Sequence, residues 1–162
     1  EVIACGEDSY TRTMDEGESL VAIIDAYYGD TGLFTLGITE VDYSNAQDLG
    51  SATGLVSSGS TIGETLSMGT NCAPIGGAIA FKWTAPSTGT VFIDTEGSDF
   101  DTALYIEELD SCMEDSSCND DGGSGVLSDM QHPVVAGTEY PIIIGGYSGD
   151  TGNYVLNISE PI

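Results

Sequence analysis

Basic side chains are almost missing from this chain. Of 162 residues, Arg12 and Lys82 are the only cations against 27 carboxylates, giving a formal net charge of −25. A phosphate backbone or an anionic membrane surface needs a basic footprint, so nucleic acid and anionic lipid are excluded as partners. Imidazole is nearly absent as well. His132 is the single histidine, which leaves little to work with for general-base catalysis or a His-built metal centre. No run of 18 or more apolar residues occurs, so no helical segment inserts into a membrane. Helical periodicity is lacking too. Short apolar or alternating runs are separated by Gly, Asn, Asp and Ser, the pattern of an all-β chain.

What is present is a core of ordinary size, with 40% of residues hydrophobic, and four cysteines. The acidic excess makes the chain repel itself at neutral pH, so its carboxylates either face water or gather a cation. An even cysteine count with little lysine and much Gly, Ser and Thr points to an oxidising, secreted setting. The chain opens at Glu1 without a basic and apolar leader and reads as a mature or excised product. Four cysteines allow three pairings. Cys112 and Cys118 lie six residues apart in one acidic loop and are expected to pair, leaving Cys5 for Cys72. None of the four has Cys-x-x-Cys spacing, so zinc is not expected.

The predicted strands are Leu20–Asp25, Phe34–Thr39, Ala78–Thr84, Thr90–Thr95, Ala103–Glu107, Val126–Met130, Tyr140–Gly145 and Tyr154–Ser159. Val91, Ile93 and Thr95 alternate with Thr90, Phe92 and Asp94, as in a half-buried strand. Ile142-Ile143-Ile144 reads as a strand buried on both faces. Within the Ser-, Thr- and Gly-rich stretch 50–65, Leu55, Val56 and Ile62 suggest weak edge strands. Gly-rich turns at this spacing predict a β-sandwich of jelly-roll-like form.

An internal repeat divides the chain. Gly17–Glu40 recurs without a gap as Gly137–Glu160, with 11 identities in 24 positions at an offset of 120. Unrelated segments share about one or two. Residues 1–41 are therefore expected to be a partial repeat, the last third of a unit that residues 42–162 carry in full. Either a longer tandem protein has been cut, or the partial unit is completed by another chain, which would assemble head to tail, or it is an extension folded back to cover the sandwich.

From Asn45 onward the chain resembles the bacterial pre-peptidase C-terminal domain, a β-sandwich appended to secreted peptidases and other exported proteins. The matching pieces come in family order. Asn45-Ala46-Gln47-Asp48-Leu49-Gly50 is followed by Ala80-Phe81-Lys82-Trp83-Thr84-Ala85-Pro86 and Ser87-Thr88-Gly89-Thr90-Val91. Gly97 through Tyr105 and Cys118-Asn119-Asp120-Asp121 come next. Ala136-Gly137-Thr138-Glu139-Tyr140 and Gly146-Tyr147 through Leu156 close the series. The resemblance covers about Asn45–Ile158. It implies a non-catalytic extracellular module, and calcium held by aspartates of the matching segments.

On the residues themselves, Asp99, Asp101, Asn119, Asp120 and Asp121 form the candidate metal set, since calcium prefers six to eight oxygens from carboxylates, amides and carbonyls. Glu114 and Asp115 could add ligands. The register is not that of an EF-hand: with Asp121 at the fifth position, Ser117 and Ser128 fall at the first and twelfth. Asp30-Thr31-Gly32 and Asp150-Thr151-Gly152 resemble the paired tripeptides of aspartic peptidases. Each follows Tyr-x-Gly and leads into a strand, which is hairpin-turn chemistry. No Gly-x-Ser-x-Gly elbow occurs, so no catalytic set can be assembled. Asn157-Ile158-Ser159 is an N-glycosylation sequon. Trp83, Phe81 and the eight tyrosines could stack on glycans, but a place in the core suits Trp83 better. The expected function is a calcium-stabilised unit of a tandem array or fibre. The alternative is an accessory module of a secreted hydrolase that targets it to substrate or is cleaved on maturation. Partners would be copies of itself, or glycans.

Overall fold

A computed structural model of the chain describes residues 31–33, 35, 45–69, 72–106 and 118–162. Among these the protein is all strand. β1 spans Gln47–Asp48, β2 Gly54–Ser60, β3 Leu66–Gly69, β4 Pro74–Thr84, β5 Gly89–Asp94, β6 Thr102–Ile106, β7 Cys118–Asn119, β8 Asp129–Val134, β9 Glu139–Tyr147 and β10 Asn153–Ile158. The predicted strands Leu20–Asp25 and Phe34–Thr39 lie outside the described residues or almost so, and with them the partial repeat.

Two sheets face each other. One runs β1-β4-β9-β6-β7, with β3 also on β4; the other runs β2-β10-β5-β8. Among the described strands only β1 pairs parallel, on β4; the other pairings are antiparallel. From β4 to β6, and from β7 to β10, successive strands alternate between the sheets, so the fold is a sandwich knitted by long-range pairing.

Period-two alternation fills the gap between the sheets. Phe81 and Trp83 from β4, Leu104 and Ile106 from β6, and Ile142 and Ile144 from β9 meet Val91 and Ile93, Met130 and Val134, and Tyr154, Leu156 and Ile158. Val91, Ile93 and Thr95 are buried, whereas Phe92 on the opposite face is exposed. Trp83 is fully buried and its Nε1 donates to the Ala52 carbonyl at 2.7 Å. The isoleucine run of β9 is buried on both faces, as expected. Ile142 and Ile144 enter the main core, while Ile143 joins a second cluster with Ala73, Ile75, Ala78, Ala80 and Ala103 on the outer side of the sheet.

That outer cluster corrects the expected cysteine pairing. Cys118 bonds to Cys72, with their Cα atoms 5.8 Å apart, and not to Cys112. Cys118 stands opposite Tyr105 on β6, and directly opposed residues point to one face. Tyr105 and the Cys72–Ala73 segment both pack on the outer apolar cluster. The segment before β4 thus crosses that face and meets Cys118, a contact between positions 46 residues apart. Cys5 and Cys112 lie outside the described residues.

The strand that precedes β9 also shifts. Val126–Met130 was expected, and β8 is Asp129–Val134. Val126 and Ser128 serve the loop instead: the Val126 carbonyl accepts from the Thr102 amide, and Ser128 is buried in hydroxyl contacts. Pro133 is admitted because β8 is an edge strand pairing only with β5.

Candidate functional site: an acidic end of the sandwich

The loops that follow β5, β7 and β9 come together at one end of the sandwich. Their floor is a buried hydroxyl cluster. Thr95, Thr102 and Ser128 are fully buried. Thr95 Oγ1 and Thr102 Oγ1 are 2.7 Å apart, and the Ser128 amide donates to both, at 2.9 and 3.0 Å. Ser128 Oγ donates to the Thr102 carbonyl at 2.7 Å and to the Asp120 carbonyl at 3.1 Å. Each hydroxyl therefore has a partner, as burial demands, and the acidic loop after β7 is fastened to β6 from below.

Asn119 closes that loop from its first residue. Its Oδ1 accepts from the Gly122 amide at 2.8 Å and from the Asp129 amide at 3.1 Å. Gly122 has no room for a side chain, because a Cβ there would collide with Asp129 Oδ1 and sit 2.7 Å from Asn119 Oδ1. The expected hairpin is not formed, because β9 and β10 pair in different sheets, but the tight turn between them is there. The Asp150 amide donates to the Tyr147 carbonyl at 3.0 Å, and Ser148 and Gly149 have φ of 50° and 91°, the left-handed pair of a type I′ turn. Asp150 Oδ1 accepts from the Thr151 amide, and Oδ2 from the Asp101 amide at 3.1 Å.

The predicted ligand set divides. Asp120 and Asp121 lie close enough to Asp101 for their charges to act on it, and so does Asp150, read from sequence only as a turn residue. Partial burial, then the negative charges of Asp121, Asp150 and Asp120, hold the Asp101 carboxyl above its ordinary value. Asp99 is turned to other work. It accepts from Asn153 Nδ2 at 2.7 Å and from the Asn153 amide at 2.6 Å, and these bonds hold its carboxyl below the ordinary value. Asn119 is occupied by its two backbone donors. Glu114 and Asp115 lie outside the described residues.

Asp101, Asp120 and Asp121 offer hard carboxylate oxygens, the donor type that a divalent cation such as calcium takes. Among the described residues, no three His, Cys, Asp or Glu side chains form a ready-made group around one metal position.

Other candidates fall elsewhere. His132 is 2% exposed. It stands in β8 with its ring edge-on to Tyr140 at 5.4 Å, so it packs within the sandwich. Phe81 and Trp83 are fully buried and present no face to a glycan; Phe92 and Tyr147 are the aromatics exposed among the described residues. Asn157 sits mid-strand in β10, between β2 and β5. Its Nδ2, the atom a glycan would take, donates to Asp94 Oδ1 at 2.7 Å.

The chain is similar to the pre-peptidase C-terminal domain of a collagenase from Bacillus anthracis. The identity is 14% and the TM-score 0.46, and the likeness covers 70% of this chain and 94% of that domain. No protein-family model and no curated protein matches the sequence. No helix among the described residues is long and apolar enough to cross a membrane.

Proposed function

We propose that this chain carries a non-catalytic extracellular β-sandwich unit, one of several in a larger secreted protein, stabilised by calcium at its acidic end. The observation that carries this reading is where the repeat falls. Gly137–Glu160 covers β9 and β10, and these strands lie in different sheets, β9 between β4 and β6 and β10 between β2 and β5. Such a segment is the middle of a sandwich and has no independent stability as a lone pair of strands. Its recurrence at Gly17–Glu40 marks a second unit of the same kind.

The Cys72–Cys118 bond supports the extracellular setting. Calcium would be held by Asp101, Asp120 and Asp121, and would offset the negative charge that they and Asp150 bring together. A second reading, an accessory module of a secreted peptidase or other hydrolase, is favoured by the ordered motifs between Asn45 and Ile158. Sequencing the gene to either side of this segment separates the two. Further copies at a spacing of about 120 residues are expected. A catalytic domain beside a single complete unit would replace the array with the accessory reading.

A further inference from the structure

The acidic loop that follows β7 has no anchor in the core. From Asn119 to Leu127 no side chain is buried, and the first buried residue after Cys118 is Ser128. β7 is two residues long and is the outermost strand of its sheet, paired only with β6. The loop is closed by polar bonds. The Gly122 and Asp129 amides donate to Asn119 Oδ1, the Gly123 amide to the Leu127 carbonyl and the Ser124 amide to Glu96 Oε1. Charge works against this closed position. The carboxylates of Asp121, Asp150 and Asp120 act on Asp101, and like charges held together repel. Lys82, the one cation among the described residues, stands on β4 opposite Pro141 near the start of β9, whereas the acidic loops gather beyond its other end. What fastens the root of the loop is the bond from Cys118 to Cys72, which packs on the outer apolar cluster.

We propose that the Cys72–Cys118 bond is a redox latch on the acidic loop, closed in the oxidised chain and released by a dithiol reductant while the sandwich stays folded. Both cysteines are half-buried, so the bond is within reach of a dithiol. A thiolate of the reductant attacks one sulfur and forms a mixed disulfide. The second thiol of the reductant then resolves it, and the reductant leaves as a cyclic disulfide. The protein's S–S bond is broken, and two electrons and two protons end on Cys72 and Cys118. β7 is then held by its two-residue pairing and the loop's polar bonds, against the push of the carboxylates. Neither cysteine belongs to the main core, which stays packed. The oxidation state thus sets whether the acidic end is assembled. Weaker calcium binding by the reduced chain rests on the calcium reading; the opening of the loop does not.

The test uses the full-length chain carrying Cys5→Ser and Cys112→Ser, in which Cys72–Cys118 is the only bond that can form, in chelated buffer. Amide exchange is followed with and without dithiothreitol. In the reduced chain the Gly122, Gly123 and Asp129 amides are expected to exchange at least about tenfold faster, at a rate that low urea leaves unchanged, as local opening does. Melting should stay cooperative at a lower midpoint, with the Ile143 and Leu156 amides still the slower ones. Changing Asp120 and Asp121 to Asn in the reduced chain should restore at least about threefold of the lost protection, and so should about 0.5 M salt. Four results would each overturn the latch: loop exchange unchanged by reduction, an acceleration that rises with urea alongside Ile143 and Leu156, loss of cooperative melting, or a reduced loop indifferent to both charge and salt. Calcium titration of the two forms is the second readout, with affinity expected to fall at least about threefold on reduction. Equal affinity in both forms would overturn the latch's hold on the site. Binding absent from both would remove the calcium reading and leave the latch standing on the exchange result.

Discussion

Replacing Cys112 should leave the sandwich between Asn45 and Ile162 nearly as stable as before, while replacing Cys72 or Cys118 should weaken it heavily. The magnitude follows from the loop each bond closes. Cys72 and Cys118 are 46 residues apart, and closing such a loop in the unfolded chain is worth about 4 kcal/mol in the chain-entropy description. A bond across the six-residue step from Cys112 to Cys118 would be worth about 2 kcal/mol. Measured effects fall below the entropic figure, so a loss of about 3 kcal/mol is expected for Cys72→Ser and for Cys118→Ser. The double variant should lose no more than either single, because both remove one bond. With a urea slope of about 1.5–2 kcal/mol/M for a unit of this size, the midpoint falls by about 1.5–2 M. The assay is urea unfolding of the parent and the four variants without reductant, with peptide mapping of the parent under non-reducing conditions. Cys118→Ser tracking Cys112→Ser instead of Cys72→Ser, or a mapped peptide joining Cys112 to Cys118, would refute the crossing of the outer face by the segment before β4.

Three more outcomes are expected. Trp83→Phe leaves a gap in the main core and removes the bond to the Ala52 carbonyl, which should cost about 2 kcal/mol in urea unfolding followed by circular dichroism. Ser128→Ala takes a donor from the Thr102 and Asp120 carbonyls and should cost about 1–2 kcal/mol by the same assay, with faster amide exchange in residues 119–129. The pH profile of melting should carry two opposite signatures. Asp101 is raised above 3.8 in the folded chain, so its ionised form opposes folding at neutral pH, and stability is regained as pH falls through the folded value towards 3.8. Asp99 is lowered below 3.8, so its contribution is present above 3.8 and lost as pH falls through the folded value. Asp101→Asn should remove the first signature and Asp99→Asn the second; profiles unchanged by either substitution would contradict these assignments.

Much of the sandwich was legible because its strands carry period-two burial. The alternation of β5 and the isoleucine run of β9 read directly as one-faced and two-faced burial. Strands with little apolar content did not announce themselves. β1 is two polar residues laid parallel on β4, and β4 itself begins four residues before its predicted start because the Gly76–Gly77 irregularity and alanines hide its alternation. β8 was misplaced because Val126, Ser128 and Met130 alternate in sequence as a strand would, whereas Val126 and Ser128 serve the loop before it. The acidic end was legible as a concentration of aspartates, but not in its division of labour. Nothing near Asp99 in sequence says that Asn153 takes both its oxygens, and nothing near Asp150 says that its carboxylate reaches the Asp101 amide. The cysteine pairing failed for the same reason. Spacing sees neighbours along the chain, whereas the face that carries Tyr105 and Cys118 is covered by a segment from the other side of the sheet.

The central claim is that the acidic end is completed by calcium, and calorimetry of the full chain tests it directly. With a dissociation constant of about 10⁻⁴–10⁻³ M, raising calcium from a chelated buffer to about 10 mM adds about 1.4–2.7 kcal/mol of stability. That corresponds to a rise in the melting midpoint of about 5–10 °C, which should disappear when Asp120 and Asp121 are both changed to Asn. Midpoints that coincide in chelator and in calcium, or a rise that survives the double substitution, would contradict it.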